Sequence, residues 1–182
     1  MTRIILFIVA TLFFLYISRR SLLNPQSHGF YRFFVFEGNL SLILLNHPYW
    51  FSDPFSPLHV LSWVLLLISI CFISQSLMML KKSGGHGDRP DTPENHSFEN
   101  TVNVVDIGLY RYIRHPMYSS LLFLGWGACL KNLTPLTLGL VLVISGFIVA
   151  AARVEERENI RFFGSPYKAY IKRSRMFIPW LL

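Results

Sequence analysis

VLSWVLLLISICFISQSLMML, residues 60–80, runs for 21 positions without a charge, and LTPLTLGLVLVISGFIVAAA, residues 133–152, does so for 20. At about 1.5 Å of rise per residue, each makes a helix of about 30 Å, the thickness of a bilayer's hydrocarbon core. A soluble domain can bury one such helix. Two of them plus further apolar runs, in a chain of 182 residues, leave too little polar sequence to cover them. The expected fold is therefore all-α, a multi-pass transmembrane helical bundle. Composition agrees: 52% of residues are apolar and 15% charged, against about 45–50% and about 25% in a typical soluble domain.

Three weaker runs bring the expected total to about five spans. Ile4–Ile17 is apolar apart from Thr11 and is closed by Ser18, Arg19 and Arg20. The basic pair follows the run and no small-residue cleavage site is visible, so it reads as a retained helix rather than a signal peptide. Phe33–Leu45 contains Glu37, five residues after Arg32, a spacing that pairs poorly on a helix. It reads as a tilted or re-entrant span whose carboxylate faces protein or water. Tyr118–Leu130 is short for a span unless its helix begins near Pro116. Lys131 and Asn132 join it to the fifth run as a tight helical hairpin.

The basic residues set an orientation. Arg19, Arg20 and Arg32 lie between the first two runs. Lys81, Lys82, Arg89, Arg111 and Arg114 follow the third, and Arg153, Arg157, Arg161, Lys168, Lys172, Arg173 and Arg175 follow the fifth. That places fifteen of the 17 on one side, with only Arg3 and Lys131 opposite. The N-terminus is thus expected outside and the C-terminus in the cytoplasm. The loop Asn46–Pro57 has no Lys or Arg, and its aromatic residues and prolines suit an external interfacial cap. A bacterial cytoplasmic membrane is the favoured location, or the endoplasmic reticulum in a eukaryote.

Other function classes are excluded or weakened. A net charge of +7 suits anionic membrane lipid, and its distribution around apolar runs argues against nucleic acid. Cys71 and Cys129, the two cysteines, rule out a disulfide scaffold or a four-cysteine zinc site. The six histidines form no H-x-x-x-H or H-E-x-x-H pair, and no metal is expected. Gly84-Gly85-His86-Gly87 lacks the Lys-Ser/Thr of a phosphate loop and reads as part of a flexible linker.

Two polar stretches carry the chemistry. The first, residues 102–118, packs Tyr110, Tyr112 and Tyr118 with Arg111, Arg114 and His115-Pro116 just ahead of an apolar helix. Pro116 suits the first turn of that helix, and it pushes His115 toward an extended conformation. The second, residues 153–164, carries the fifth helix out of the membrane. Arg153 and Glu156, like Glu158 and Arg161, are spaced to pair on its surface. Arg153 and Glu155 lie so close to the charge-free run that they need partners, which a polar ligand would supply. Gly164 stops the helix. The basic, aromatic tail from Tyr167 to Leu182 suits the membrane surface or a fold back over a site.

Taken in order, Gly108-x-Tyr110-x-x-x-Arg114-His115-Pro116-x-Tyr118, an apolar hairpin, Glu155-Glu156, Phe163-Gly164-x-x-Tyr167-x-x-Tyr170, Arg173 and Ile178-Pro179 resemble the integral membrane methyltransferases typified by protein-S-isoprenylcysteine carboxyl methyltransferase. Phospholipid N-methyltransferases share related C-terminal features. The resemblance covers about residues 100–182 and divides the chain into membrane spans 1–80, a cytoplasmic linker 81–101 and a methyltransferase core 102–182.

It implies S-adenosylmethionine as methyl donor, held on the cytoplasmic side without a Rossmann fold by Val102, Asn103, Val104, Val105, Tyr110, His115, Pro116, Met117, Tyr118 and Glu155. It also makes Arg153 the nearest candidate for orienting the acceptor. That acceptor is expected to be lipophilic or lipid-anchored, a carboxylate or a thiol, reached sideways through the bilayer. The competing reading is a non-enzymatic membrane scaffold or assembly protein with a basic lipid-binding tail. A transporter is weakened by the absence of an internal repeat.

Overall fold

In the computed structural model, residues 1–85, 87, 89 and 100–179 are described; much of the expected linker and the last three residues lie outside them. The described residues form six α-helices and no β-strand. These are α1 (Thr2–Leu22), α2 (His28–Asn46), α3 (Pro57–Ser83), α4 (Pro116–Cys129), α5 (Pro135–Phe163) and the short α6 (Ser165–Arg173). Their starts are coded locally. Ser27, Ser56 and Thr134 accept hydrogen bonds from first-turn backbone N–H groups, and prolines open α3, α4 and α5.

Three helices, α1, α3 and α5, are long and apolar enough to cross a membrane. The other two expected spans differ. In α2, 19 residues long, Arg32, Glu37, Asn39 and Asn46 break the apolar run. Helix α4 does begin at Pro116, but its 14 residues reach only about 21 Å. Helix α3 continues through Lys81–Ser83, three residues into the expected linker.

Helix α3 is built inside out relative to a helix of a soluble protein. On α3 the buried positions are mostly serines, while Val60, Leu61, Val64, Leu67 and Ile70 are exposed. Ser62 donates to the Gly127 carbonyl at 2.6 Å and Ser69 to that of Ser120 at 2.7 Å, tying α3 to α4. Without water to reward apolar burial, helices associate through small residues and interhelical hydrogen bonds, while leucines face lipid. Glycines allow the same closeness elsewhere: a Cβ on Gly38 of α2 would collide with Ile144 of α5, and one on Gly127 would press Leu66 of α3.

Two helix pairs, α3 with α4 and α2 with α5, make the largest interfaces; α4 also touches α2 and α5, and α1 packs on α2. Val35, Leu42, Val141, Ile144 and Ile148 form the core between α2 and α5. Asn46 donates to the Ala128 carbonyl at 2.8 Å, closing the open end of α4. Beside it, the buried Lys131 sets its Nζ 3.3 Å from the Trp63 ring centroid, which anchors the expected external cap by a cation–π contact.

Candidate active site

The site lies where the last turns of α3 and α5 meet the start of α4. Gly84 closes α3 and its carbonyl accepts from the N–H groups of Val102 and Asn103 at 2.9 and 3.0 Å, so the chain returns to the bundle where it left. A one-turn helix over Gly108–Arg111 follows. Gly108 has φ +55°, and the end of the Met79 side chain of α3 occupies the space a Cβ would need, so any other residue would be strained and would displace Met79. His115 directly precedes α4; at φ −122° and ψ 58° it is kept out of the helical region by Pro116 but does not reach the extended conformation expected.

The tail folds back over this motif instead of lying apart from it. Arg114 N–H donates to the Arg175 carbonyl at 2.7 Å, Arg175 N–H to that of Tyr112 at 2.8 Å, and His115 N–H to that of Met176 at 3.1 Å. Ser119 Oγ adds a bond to the Phe177 carbonyl at 2.7 Å. Helix α6 is held by Tyr170, whose hydroxyl donates to the Tyr110 carbonyl, and by an Arg173–Asp106 ion pair. Burial raises the phenol pKa values of Tyr110, Tyr167 and Tyr170; the negative charge of Glu155 adds to the first two and Asp106 to the third. All three stay protonated.

Helix phase sorts the charges at the end of α5. Arg153, Arg157 and Arg161, four residues apart, are exposed, whereas Glu155, Glu156 and Glu158 turn inward. The expected surface pairs are therefore replaced by contacts to the segment ahead of α4 and to α2. Glu156 accepts from Arg114 Nε at 2.6 Å and lies 3.3 Å from His115 Nε2, and Glu155 is 3.8 Å from His115 Nδ1. Glu158, buried, is 2.6 Å from His28 Nδ1 and accepts from the His28 backbone N–H at 3.1 Å.

His28, Arg114, His115, Glu155 and Glu158 line a cavity of about 610 Å³, within the range of small-molecule sites. Of the predicted cofactor residues, Asn103, Val104, Val105, Tyr110, His115, Met117, Tyr118 and Glu155 line it. Pro116 is buried outside the lining and Val102 is exposed. Arg153, predicted to orient the acceptor, is on the exposed face of α5 and outside the lining. Sequence reasoning missed His28 and Arg32 of α2, with Arg89, Glu158 and Asn159. Arg89 stacks over Phe162 at 4.2 Å and donates to Asn159 at 2.9 Å. His28 and Arg32 stand four apart at the start of α2, a one-face signal that does not by itself say which face is buried.

A family model for phospholipid methyltransferase matches residues 57–165. Methanethiol S-methyltransferase of Pseudomonas deceptionensis is 29% identical over 121 residues, 66% of this chain and 43% of that protein. Methanethiol S-methyltransferase 1 of Bradyrhizobium diazoefficiens is 35% identical over 72 residues, 40% of this chain and 25% of that protein. The matches thus span less than half the length of these curated relatives. No solved structure gives a significant match.

Proposed function

This chain belongs to the phospholipid methyltransferase family, and from that premise we propose that it is an S-adenosylmethionine-dependent methyltransferase embedded in a bacterial cytoplasmic membrane. Its acceptor is a lipophilic thiol or carboxylate; the names of the relatives favour the thiol.

The observation that carries this reading is the mixed lining of the cavity, which combines Glu155, His115, Tyr110 and Tyr118 with Ile17, Phe36, Ile73, Leu77 and Leu80 of the first three helices. The polar residues fit the donor's chemistry. Glu155 would balance its positive charge, Tyr110 and Tyr118 offer aromatic faces to a sulfonium and an adenine, and Asn103 and Arg89 offer donors to a carboxylate. The apolar residues of the lining suit an acceptor arriving from lipid, because α1 packs on α2 and α3 on α4, with no large interface between α1 and α3.

When bound, S-adenosylmethionine supplies an electrophilic methyl group on a positively charged sulfur. The chain's own part is positional and electrostatic. His115 and the tyrosines fix the donor's orientation, and the apolar wall excludes water, which favours a displacement that disperses charge. Glu155→Ala and His115→Ala are each expected to weaken S-adenosylmethionine binding about five- to a hundredfold, the loss of about 1–3 kcal/mol for a buried or charged hydrogen-bond partner. Calorimetry on detergent-solubilised protein measures this. Absence of binding by folded wild-type protein would overturn the reading. Membranes incubated with methyl-labelled donor, followed by product identification, then name the acceptor.

A further inference from the structure

We propose that Arg153, Arg157 and Arg161 form a ladder on α5 that binds the phosphate groups of anionic phospholipid. All three are exposed and none lines the cavity. Among the described residues, none of their side chains makes a hydrogen bond or an ion pair. The carboxylates spaced to neutralise them, Glu156 and Glu158, are engaged by Arg114 and His28 instead. Three like charges at intervals of four residues repel one another along a helix. The ladder therefore calls for anions from outside the helix.

Its place on α5 says which anions. Gly146 and Leu142, two and three turns ahead of Arg153 on the same side, are exposed as well, Leu142 by 55%. They belong to a helix long and apolar enough to cross a membrane. The stripe that faces hydrocarbon thus turns basic without changing sides. Ala152 ends the charge-free run; at about 1.5 Å per residue, Arg153 lies about 1.5 Å beyond it and Arg157 about 7.5 Å. A headgroup layer is about 5–8 Å deep on each side of the hydrocarbon core. Helical side chains tilt toward the N-terminus, here back toward the apolar run, which brings Arg161, one turn further out, toward the same layer. An anionic headgroup offers its phosphate uncompensated, whereas a zwitterionic one brings its own cation to the ladder.

The basic tail is the weaker claimant to the same lipid. The chain turns at Gly164, with φ +67°, and is then strapped by backbone bonds to the segment ahead of α4. Arg173 is already paired with Asp106. Lipid on the ladder also bears on the cavity, because the same turns of α5 carry Glu155 and Glu158 into its lining. Neutralising the ladder steadies the helix end that positions them.

The test uses the whole chain in a neutral detergent, titrated with phosphatidylglycerol, with phosphatidylcholine and with inorganic phosphate. Native mass spectrometry counts bound lipid, and Tm is followed in parallel. Wild type is compared with the combined Arg153→Gln, Arg157→Gln, Arg161→Gln variant. A charge-matched tail variant combines Lys168→Gln, Lys172→Gln and Arg175→Gln, all at exposed positions. Wild type and the tail variant should retain phosphatidylglycerol and gain in Tm, with neither effect from phosphatidylcholine. The ladder variant should bind phosphatidylglycerol about a hundredfold more weakly, at about fivefold for each basic residue near a membrane surface, and lose the gain in Tm. A combined lysine variant at the same three positions keeps the charge and should keep the preference for phosphatidylglycerol, which separates lost binding from lost folding. Equal losses in the ladder and tail variants would reduce the effect to net charge and overturn the site, as would undiminished binding by the ladder variant. An equal gain in Tm from inorganic phosphate would make this a site for free anions and overturn the assignment to lipid.

Discussion

Glu156 and Arg153 stand three residues apart on α5, and the helix sends them to opposite fates. Glu156 closes on Arg114, whose side chain is 9% exposed and which also donates to the Ser174 carbonyl at 2.5 Å. Glu156→Gln keeps the shape but removes the charge from a mostly buried guanidinium. It is expected to destabilise the protein by about 1–3 kcal/mol, seen as a lower Tm of the detergent-solubilised protein, and to loosen the Arg114-His115 backbone against the tail. Arg153 faces outward with Arg157 and Arg161. Arg153→Lys should therefore hold turnover and donor affinity close to wild type, since surface changes of this kind stay within about 0.5 kcal/mol and Lys snorkels as well as Arg does. A selective fall in turnover with unchanged donor binding would return Arg153 to the acceptor's path.

Among the elements, those written in local chemistry were legible. The two charge-free runs became α3 and α5, Pro116 opened α4, and Gly164 stopped α5 with φ +67°. What escaped depends on partners far along the chain. Glu37 makes Phe33–Leu45 read as a tilted or re-entrant span; in the structure the segment lies within the continuous helix α2, and Thr11 of α1 donates to the carboxylate at 2.9 Å. In the site, the residues of the motif itself were readable and those of α2 were not, because only packing tells which side of α2 meets α5. The tail was legible as basic and aromatic; that it binds the motif rests on backbone bonds across some sixty positions, such as Arg114 to Arg175. Phe177 ends that strap, 5% exposed and with its ring centroid 6.2 Å from that of His115. Phe177→Ala is expected to cost about 3–5 kcal/mol and to weaken donor binding by releasing His115. Thermal melting and calorimetry read the two effects, and an unshifted melting temperature would show that the strap carries no stability.

At the scale of the whole molecule, charge, cavity and lipid-facing surface share one axis. The carboxylates and histidines of the cavity sit at the end where α3 and α5 finish. The basic residues gather at the same end, fifteen of the 17 by sequence. Between the ends, α1, α3 and α5 present bare apolar faces, with Leu12 at 61%, Leu67 at 61% and Leu142 at 55% exposure. Inserted so that the basic end stays in the cytoplasm, the molecule would meet the proposed donor from the aqueous side and the proposed acceptor from the lipid side. The prediction is an orientation, tested by cysteine labelling in intact cells after Cys71 and Cys129 are replaced by serine. Phe55→Cys lies in the loop without Lys or Arg and Phe55 is 89% exposed, so a membrane-impermeant thiol reagent should modify it directly. Lys82→Cys, at the exposed last turn of α3, should react only after permeabilisation. The reverse pattern would put the cavity outside the cell, away from any cytoplasmic supply of donor, and would remove the orientation together with the role assigned to the charged end.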